Sequence, residues 1–259
     1  MPVFLFDKII FGPVKSRRLG VSLGINLLPL ESKYCNFDCI YCECGRTFKS
    51  DFDKKGFHSR EEVRESLDKK LDEMKAANYP PNMITFAGNG EPTMHKDFAE
   101  IINDTIELRN IYFPDAGIAV LSNATLIHQQ KVYDALLKVD ENILKLDSAF
   151  DKTIKLLNNP PSNFTVEKLV ENLKKFNGNL VIQTMFLRGM FQNQTVDNTT
   201  DEEVDEWINL LKEIKPRKVM VYTIQRDTPS PDLEKVSVED LEKIAVKARN
   251  FGFNVVVSG

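Results

Sequence analysis

The sequence predicts an α/β fold, a partial barrel of the (β/α)6 type with a mostly parallel sheet. Three observations carry that prediction. Strand-like and helix-like segments alternate from about residue 20 to the end of the 259 residues, which is the pattern of βαβ units. The helix-like segments run about ten to sixteen residues, long enough to return the chain to a parallel neighbour. The strand-like segments number six or seven, too few to close a ring of eight. Residues 1–20 are read as an N-terminal extension and 21–259 as the partial barrel of a single domain, with an extra strand at the C-terminal end.

Each element has its own signal. Residues 21–28 form a short apolar run between Gly20 and Pro29 and read as the first strand. A cysteine-bearing loop follows. Ser59 is placed as the N-cap of a helix reaching about Ala77. Glu61, Glu62 and Glu65 favour its positive end, Val63, Leu67, Leu71 and Met74 share one face, and Tyr79-Pro80-Pro81 ends it. Residues 83–87 are the second strand. Helix 96–108 then precedes strand 117–121, helix 128–137 precedes strand 142–146, and helix 166–176 precedes strand 180–186. Helix 200–214 precedes strand 218–224, and helix 238–250 precedes the strand-like 255–257.

Composition is that of a globular protein, 42% hydrophobic and 28% charged. No apolar run approaches the roughly 20 residues a membrane span needs. Met1 to Asp7 is apolar but meets a charge too soon for a signal peptide. A cytoplasmic protein is expected. The net charge of −4 offers no general field for a polyanion, and basic residues are local: Arg46, Lys49, Lys54 and Lys55, then Lys212, Lys215, Arg217 and Lys218.

All four cysteines fall between positions 35 and 44. A disulfide framework would spread them, so a cluster this tight reads as metal-binding or catalytic. The spacing of Cys35, Cys39 and Cys42 is C-x3-C-x2-C. Three thiolates grip three irons of a [4Fe–4S] cube and leave the fourth iron open, whereas an electron carrier closes all four positions. A zinc site with Cys44 as fourth ligand is the alternative, though this spacing is poor for one.

Barrels of this kind place their chemistry at the C-terminal ends of the strands. The second strand is followed by Gly88-Asn89-Gly90-Glu91-Pro92, which either brings backbone against a ligand, with Glu91 accepting from an ammonium, or serves turn geometry alone. Ser122 and Asn123 follow the third strand and either bind a ribose or cap the next helix. Lys145 and Asp147 point the same way, as an inward ion pair or a surface one. Gln183 and Thr184 are polar within an apolar strand, which is costly unless they are paired. Tyr222, Thr223, Gln225 and Arg226 end the sixth strand, and Arg226 either clamps an anion or is solvated.

Taken together, these residues resemble the radical S-adenosylmethionine (SAM) superfamily and its partial TIM barrel. C-x3-C-x2-C with Tyr41 before the third cysteine is similar to that superfamily's hallmark, and Gly88–Glu91 is similar to its glycine-glycine-glutamate motif. The stretches 11–26 and 35–42 resemble a subgroup related to the wyosine-base synthases of tRNA. The resemblance implies that Cys35, Cys39 and Cys42 ligate a [4Fe–4S] cluster whose open iron is chelated by SAM. It implies that Tyr41 lies near the adenine and that Gly88, Asn89, Gly90 and Glu91 hold the methionine ammonium. Ser122, Asn123, Lys145, Asp147 and Gln183 would hold the ribose or carboxylate, and Arg17, Arg18 and Arg226 would contact substrate. The activity implied is reductive cleavage of SAM to a 5′-deoxyadenosyl radical that abstracts hydrogen from a substrate. An external one-electron reductant of flavodoxin or ferredoxin type would be the partner. Substrates open at this point are a tRNA base or nucleoside, a small molecule, and a partner protein such as a glycyl-radical enzyme. A non-catalytic iron–sulfur carrier or sensor is the reading from another class. Cys44 stands outside the motif and is expected to be a spectator, and no cysteine follows it to hold a second cluster.

Overall fold

The computed structural model describes residues 4–16, 19–47 and 56–259. The elements run β1 (Ile10–Ser16), β2 (Gly20–Ile25), α1 (Arg60–Ala76), β3 (Met83–Phe86), α2 (Phe98–Tyr112) and β4 (Gly117–Ser122). Next come α3 (Gln130–Leu136), β5 (Glu141–Lys145), α4 (Asp151–Asn158), α5 (Val166–Lys174) and β6 (Val181–Met185). The chain continues with β7 (Leu187–Phe191), β8 (Gln194–Asp197), α6 (Asp201–Ile214), β9 (Lys218–Tyr222), β10 (Leu233–Lys235), α7 (Val238–Arg249) and β11 (Val255–Ser258).

Eight strands form one sheet in the order β1-β2-β3-β4-β5-β6-β9-β11. Every pairing from β2 to β11 is parallel. The six strands of the expected barrel are β2, β3, β4, β5, β6 and β9, and β11 is the extra C-terminal strand. The sheet curls into a half-barrel. Its outer face packs Leu23, Ile25, Ile84, Phe86, Ile118, Val120, Leu144 and Ile182 against the helices. The next residue along each strand points the other way, so Ala119, Ile143, Val181 and Met220 meet on the concave face. Continuing that alternation toward the strand ends carries Asn123, Lys145, Asp147, Gln183, Met185 and Tyr222 onto the same face.

The helices follow their sequence signals. Ser59 caps α1 in a reciprocal capping box with Glu62, and Val63, Leu67, Leu71 and Met74 are its buried residues. Thr165, Thr200 and Ser237 cap α5, α6 and α7 through their hydroxyls.

Three expectations need correction. Residues 1–20 are not a mere extension, because 10–16 form β1, antiparallel to β2 with a register shift between Phe11 and Val14. The helix expected from Lys96 begins at Phe98, after a single 3-10 turn at Pro92–Met94. The first strand stops at Ile25 rather than Leu28, where Asn26 turns the chain by bonding Leu28 through both side-chain atoms. The short helix α4 and the small sheet of order β10-β7-β8 are additions. That small sheet supplies Leu187, Val196 and Leu233 to a cluster with Cys35, Phe37, Cys39 and Tyr41.

Candidate metal centre

The cysteine loop joins β2 to α1 and is pinned from three sides. Tyr34 forms a parallel bridge with Gly90. The last turn of α4 takes the Asp38 and Ile40 amides on the carbonyls of Asn158 and Leu157, both at 2.9 Å. Inside the loop, the buried Lys33 donates to the Gly45 carbonyl at 3.0 Å and lies 3.8 Å from Asp38. The Asp38 carboxylate also accepts from the Thr47 amide at 2.8 Å.

Two of the three motif sulfurs have a side-chain donor from a distant part of the chain. Asn123, past the end of β4, donates to Cys35 Sγ at 3.7 Å. Asn158, the last residue of α4, donates to Cys39 Sγ at 3.3 Å. Cys42 has Cys44 and the Lys33 ammonium beside it, and both favour its thiolate. The Cys44 thiol, aided by Lys33 and against the effect of burial, brings Cys42 down to about 6. Burial pushes the Cys35 and Cys39 thiols up, and the neighbouring Cys42 followed by burial pushes Cys44 up. Burial opposes the Lys33 charge, but Cys42, Cys39, Cys35 and Asp38 outweigh it and hold the ammonium above its usual range. Cys44 also lies 3.5 Å from the Gly88 carbonyl.

Beside the sulfurs, Lys145 and Asp147 form the inward pair of the two alternatives, at 3.5 Å and shielded from solvent. The Tyr41 hydroxyl donates to Asp147 Oδ2 in a very short bond, Asn158 donates to the same oxygen at 2.9 Å, and the Met185 amide donates to Oδ1 at 3.0 Å. Lys145 donates to the Tyr222 hydroxyl at 3.1 Å and sits over the rings of Tyr41 and Tyr222. Burial, then the Asp147 charge, pushes the Tyr41 phenol well above its ordinary range. The Gln183 side chain is buried, 4% exposed, and has no hydrogen-bond partner among the described residues.

The other rim residues serve the chain itself. Glu91 is buried and accepts from Thr93 N and Oγ1 at 3.1 and 2.6 Å, from Ser122 Oγ at 2.8 Å and from Asn123 N at 2.6 Å. Three of these donors fall on Oε1 and one on Oε2, and together they lock the β3 loop to the β4 loop. Burial still raises its pKa, with the amide of Asn123 and the Thr93 and Ser122 hydroxyls opposing. Asn89 is wholly buried and donates to the carbonyls of Phe6, Pro29 and Leu30. Gly88 and Gly90 have φ of 156° and 142°, and a Cβ on them would lie 2.2 Å from Asn26 Oδ1 and 1.8 Å from Tyr34 O. Their freedom therefore lets the chain approach itself. Ser122 and Asn123 do not cap α3, whose N-cap is Gln129. Thr184 is paired, donating to Leu146 O and accepting from Trp207. Arg226 is 58% exposed, pairs with Glu43 at 2.6 Å and covers the Phe4 ring. Arg17, Arg18, Lys49, Lys54 and Lys55 lie outside the described residues.

The arrangement fits a cubic cluster. A cube takes one iron per cysteine, and here the three sulfurs come from one loop with two side-chain donors and a buried lysine among them. Sequence reasoning missed Lys33 and Asn158. Asn158 precedes Asn159-Pro160-Pro161, the one local hint of a helix end there.

The family profile described as Radical SAM superfamily matches residues 32–197. The chain belongs to the radical SAM superfamily. A UPF0026 protein of Methanocaldococcus jannaschii is 31% identical over 240 residues, covering 91% of this chain and 70% of that one. The structure of Streptococcus suis SuiB bound to S-adenosylmethionine superposes with a TM-score of 0.63 at 17% identity, over 91% of this chain and 50% of that one. This chain thus spans about half of SuiB's length. Archaeal TYW1 superposes at 0.54 with 12% identity, over 88% of this chain and 71% of that one. Both likenesses concern the half-barrel fold. The relatives in sequence include UPF0026 proteins and, over 33% of its length, a Brachyspira hyodysenteriae protein named GTPase Obg, so radical SAM membership stands while the wyosine-related subgroup does not follow. That membership supports an enzyme rather than a passive iron–sulfur carrier. Among the described residues no helix is long and apolar enough to cross a membrane.

Proposed function

We propose that this chain is a radical SAM enzyme whose cluster is held by Cys35, Cys39 and Cys42 and whose substrate is bound at the mouth of the half-barrel. The observation that carries the reading is the set of three clustered sulfurs in one loop, two of them facing a side-chain amide and all three near the buried Lys33, on the rim where the parallel strands end. When bound, the cluster and SAM supply reductive cleavage of a carbon–sulfur bond and with it a radical able to take hydrogen from substrate. The protein's part is to hold those groups and exclude water. Lys145 offers a fixed cation on the concave face, suited to the carboxylate of SAM. Gln183, with both amide groups free, suits a ribose. The methionine ammonium falls to the backbone carbonyls of 88–90 and to Glu91 Oε2, which takes only the Asn123 amide.

For substrate, the observations favour a small molecule or a protein over a tRNA base. Arg217 and Lys218 are tied to Glu141 at 3.4 and 2.7 Å and stand at the start of β9, the end of the barrel opposite the cysteines. Arg46 is engaged by Asp38 and Ser230. The reductant is a separate acidic flavodoxin- or ferredoxin-type carrier. It docks in a cleft of about 670 Å³ floored by Asp38 and Ile40, flanking Cys39, and walled by Arg46, Phe191, Lys152 and Lys155. Lys152 and Lys155 have no ion pair among the described residues, so their charge is available to a partner.

Anaerobic reconstitution with iron and sulfide, followed by reductant and SAM, tests the enzyme reading. It expects 5′-deoxyadenosine, and an intact cluster that forms none refutes it. Cys39→Ala removes cluster and turnover together, whereas Cys44→Ala keeps the cluster. Steep salt-dependent tRNA binding would restore the RNA reading.

A further inference from the structure

The side chain of Asn158 is wholly buried. Its Nδ2 lies 3.3 Å from Cys39 Sγ, 2.8 Å from the Tyr41 hydroxyl and 2.9 Å from Asp147 Oδ2. Turning the amide over would aim a carbonyl oxygen at a thiolate and a carboxylate, so the donor side must face the cysteine. The other end of the amide is unusual. Asn158 Oδ1 is buried without a hydrogen-bond partner among the described residues, so among them the donor end of the amide makes all the side-chain hydrogen bonds of this residue. What the position secures is an N–H fixed against one ligand sulfur.

The geometry points to Asn158 as a positioning residue that sets the reduction potential of the cluster through Cys39. This rests on reading Cys35, Cys39 and Cys42 as its ligands. Reduction adds one electron from the external donor to the cluster, with no bond made and no proton moved, and the added charge spreads onto the sulfurs. An N–H donor to a ligand sulfur stabilises that charge and raises the potential. Asn158 is well built for this. Its own carbonyl holds the Asp38 amide at 2.9 Å, so helix and cysteine loop keep one spacing. It also stands between Cys39 and Asp147, donating to both, so the carboxylate most able to oppose reduction is turned toward Tyr41, Asn158 and Lys145.

The test is an EPR-monitored redox titration of reconstituted protein, with iron and sulfide counted per chain. Asn158→Leu keeps the volume and removes the donor. It should load a full cluster whose reduction is about tenfold less favourable, a shift of about 59 mV to more negative potential for one electron. A full cluster at unchanged potential overturns the inference alone. A second measurement needs no change at residue 158. In Asn123→Ala protein labelled with 15N-asparagine, pulsed EPR of the reduced cluster should detect a coupled asparagine nitrogen, and its absence overturns the inference. Failure of the unmodified protein to take up any cluster overturns the ligand assignment and this inference with it.

Discussion

The Lys145 ammonium lies 3.5 Å from the Asp147 carboxylate, and both are shielded from solvent on the concave face of the sheet. Burial opposes the lysine charge, but Asp147, Tyr222 and Cys39 outweigh it and hold the ammonium far above its usual range. The two partners are not equally replaceable. Asp147 has three donors besides the lysine, from Tyr41, Asn158 and Met185. Asp147→Ala should cost about 3–5 kcal/mol because it strands a buried cation. Lys145→Met leaves the carboxylate hydrogen-bonded and should cost less. Urea unfolding of the two variants checks this, and equal losses would contradict the asymmetry.

Gly90 should tolerate no side chain. Its φ is 142° and a Cβ would lie 1.8 Å from the Tyr34 carbonyl, two residues from Pro92 and one bridge away from the cysteine loop. Gly90→Ala should lower stability by about 1–3 kcal/mol through backbone strain and reduce iron uptake, because the loop must move to admit it. Gly56 has nothing within 4 Å of its would-be Cβ among the described residues, so Gly56→Ala should stay within about 0.5 kcal/mol.

In metal-free protein the cysteines should differ in reactivity. The Cys44 thiol brings Cys42 down to about 6, while burial pushes Cys35 and Cys39 up. Alkylation followed by mass spectrometry should therefore modify Cys42 first, with a rate that rises through about pH 6. Stability carries the matching sign. A pKa lowered by folding contributes above the unfolded thiol's pKa and is lost as pH falls through about 6. Cys44→Ala should move that midpoint upward.

The cleft beside Cys39 should matter to one class of reductant only. Reversing Lys152 and Lys155 to Glu should slow cluster reduction by an acidic protein donor about tenfold or more at low salt. Reduction by photoreduced deazaflavin should be unaffected. Equal rates with the protein donor would remove this face as its docking site.

Most of the barrel was legible because its signals are local. Ser59 with Glu62, and the spacing of Val63, Leu67, Leu71 and Met74, announce α1 without reference to the rest of the chain. What stayed hidden has identifiable causes. Pro13 and the irregular pairing around it mask β1 as a strand. The β7–β8 hairpin turns at Gln192 and Asn193, both with positive φ, where Asn-Gly would have been readable. Helix α4 is only eight residues long, within the range where tertiary contacts rather than periodicity decide. At the site, the cysteines were plain from spacing. The bonds of Glu91 to Ser122 and of Asn89 to Phe6, and the close approach of Gly90 to Tyr34, were hidden because those partners are distant in sequence. Asn158 donates across 119 residues to Cys39, and no motif records such a bond.

That long reach bears on how the protein is made. A ribosome that has just released the cysteine loop has not yet translated Asn123, Asp147 or Asn158. The nascent loop lacks the amides that face two of its sulfurs and the helix end that holds Asp38 and Ile40. Under the proposed ligand assignment, a cluster would meet its amide donors only once α4 has been made. Truncation anywhere before α4 leaves cysteines without their setting.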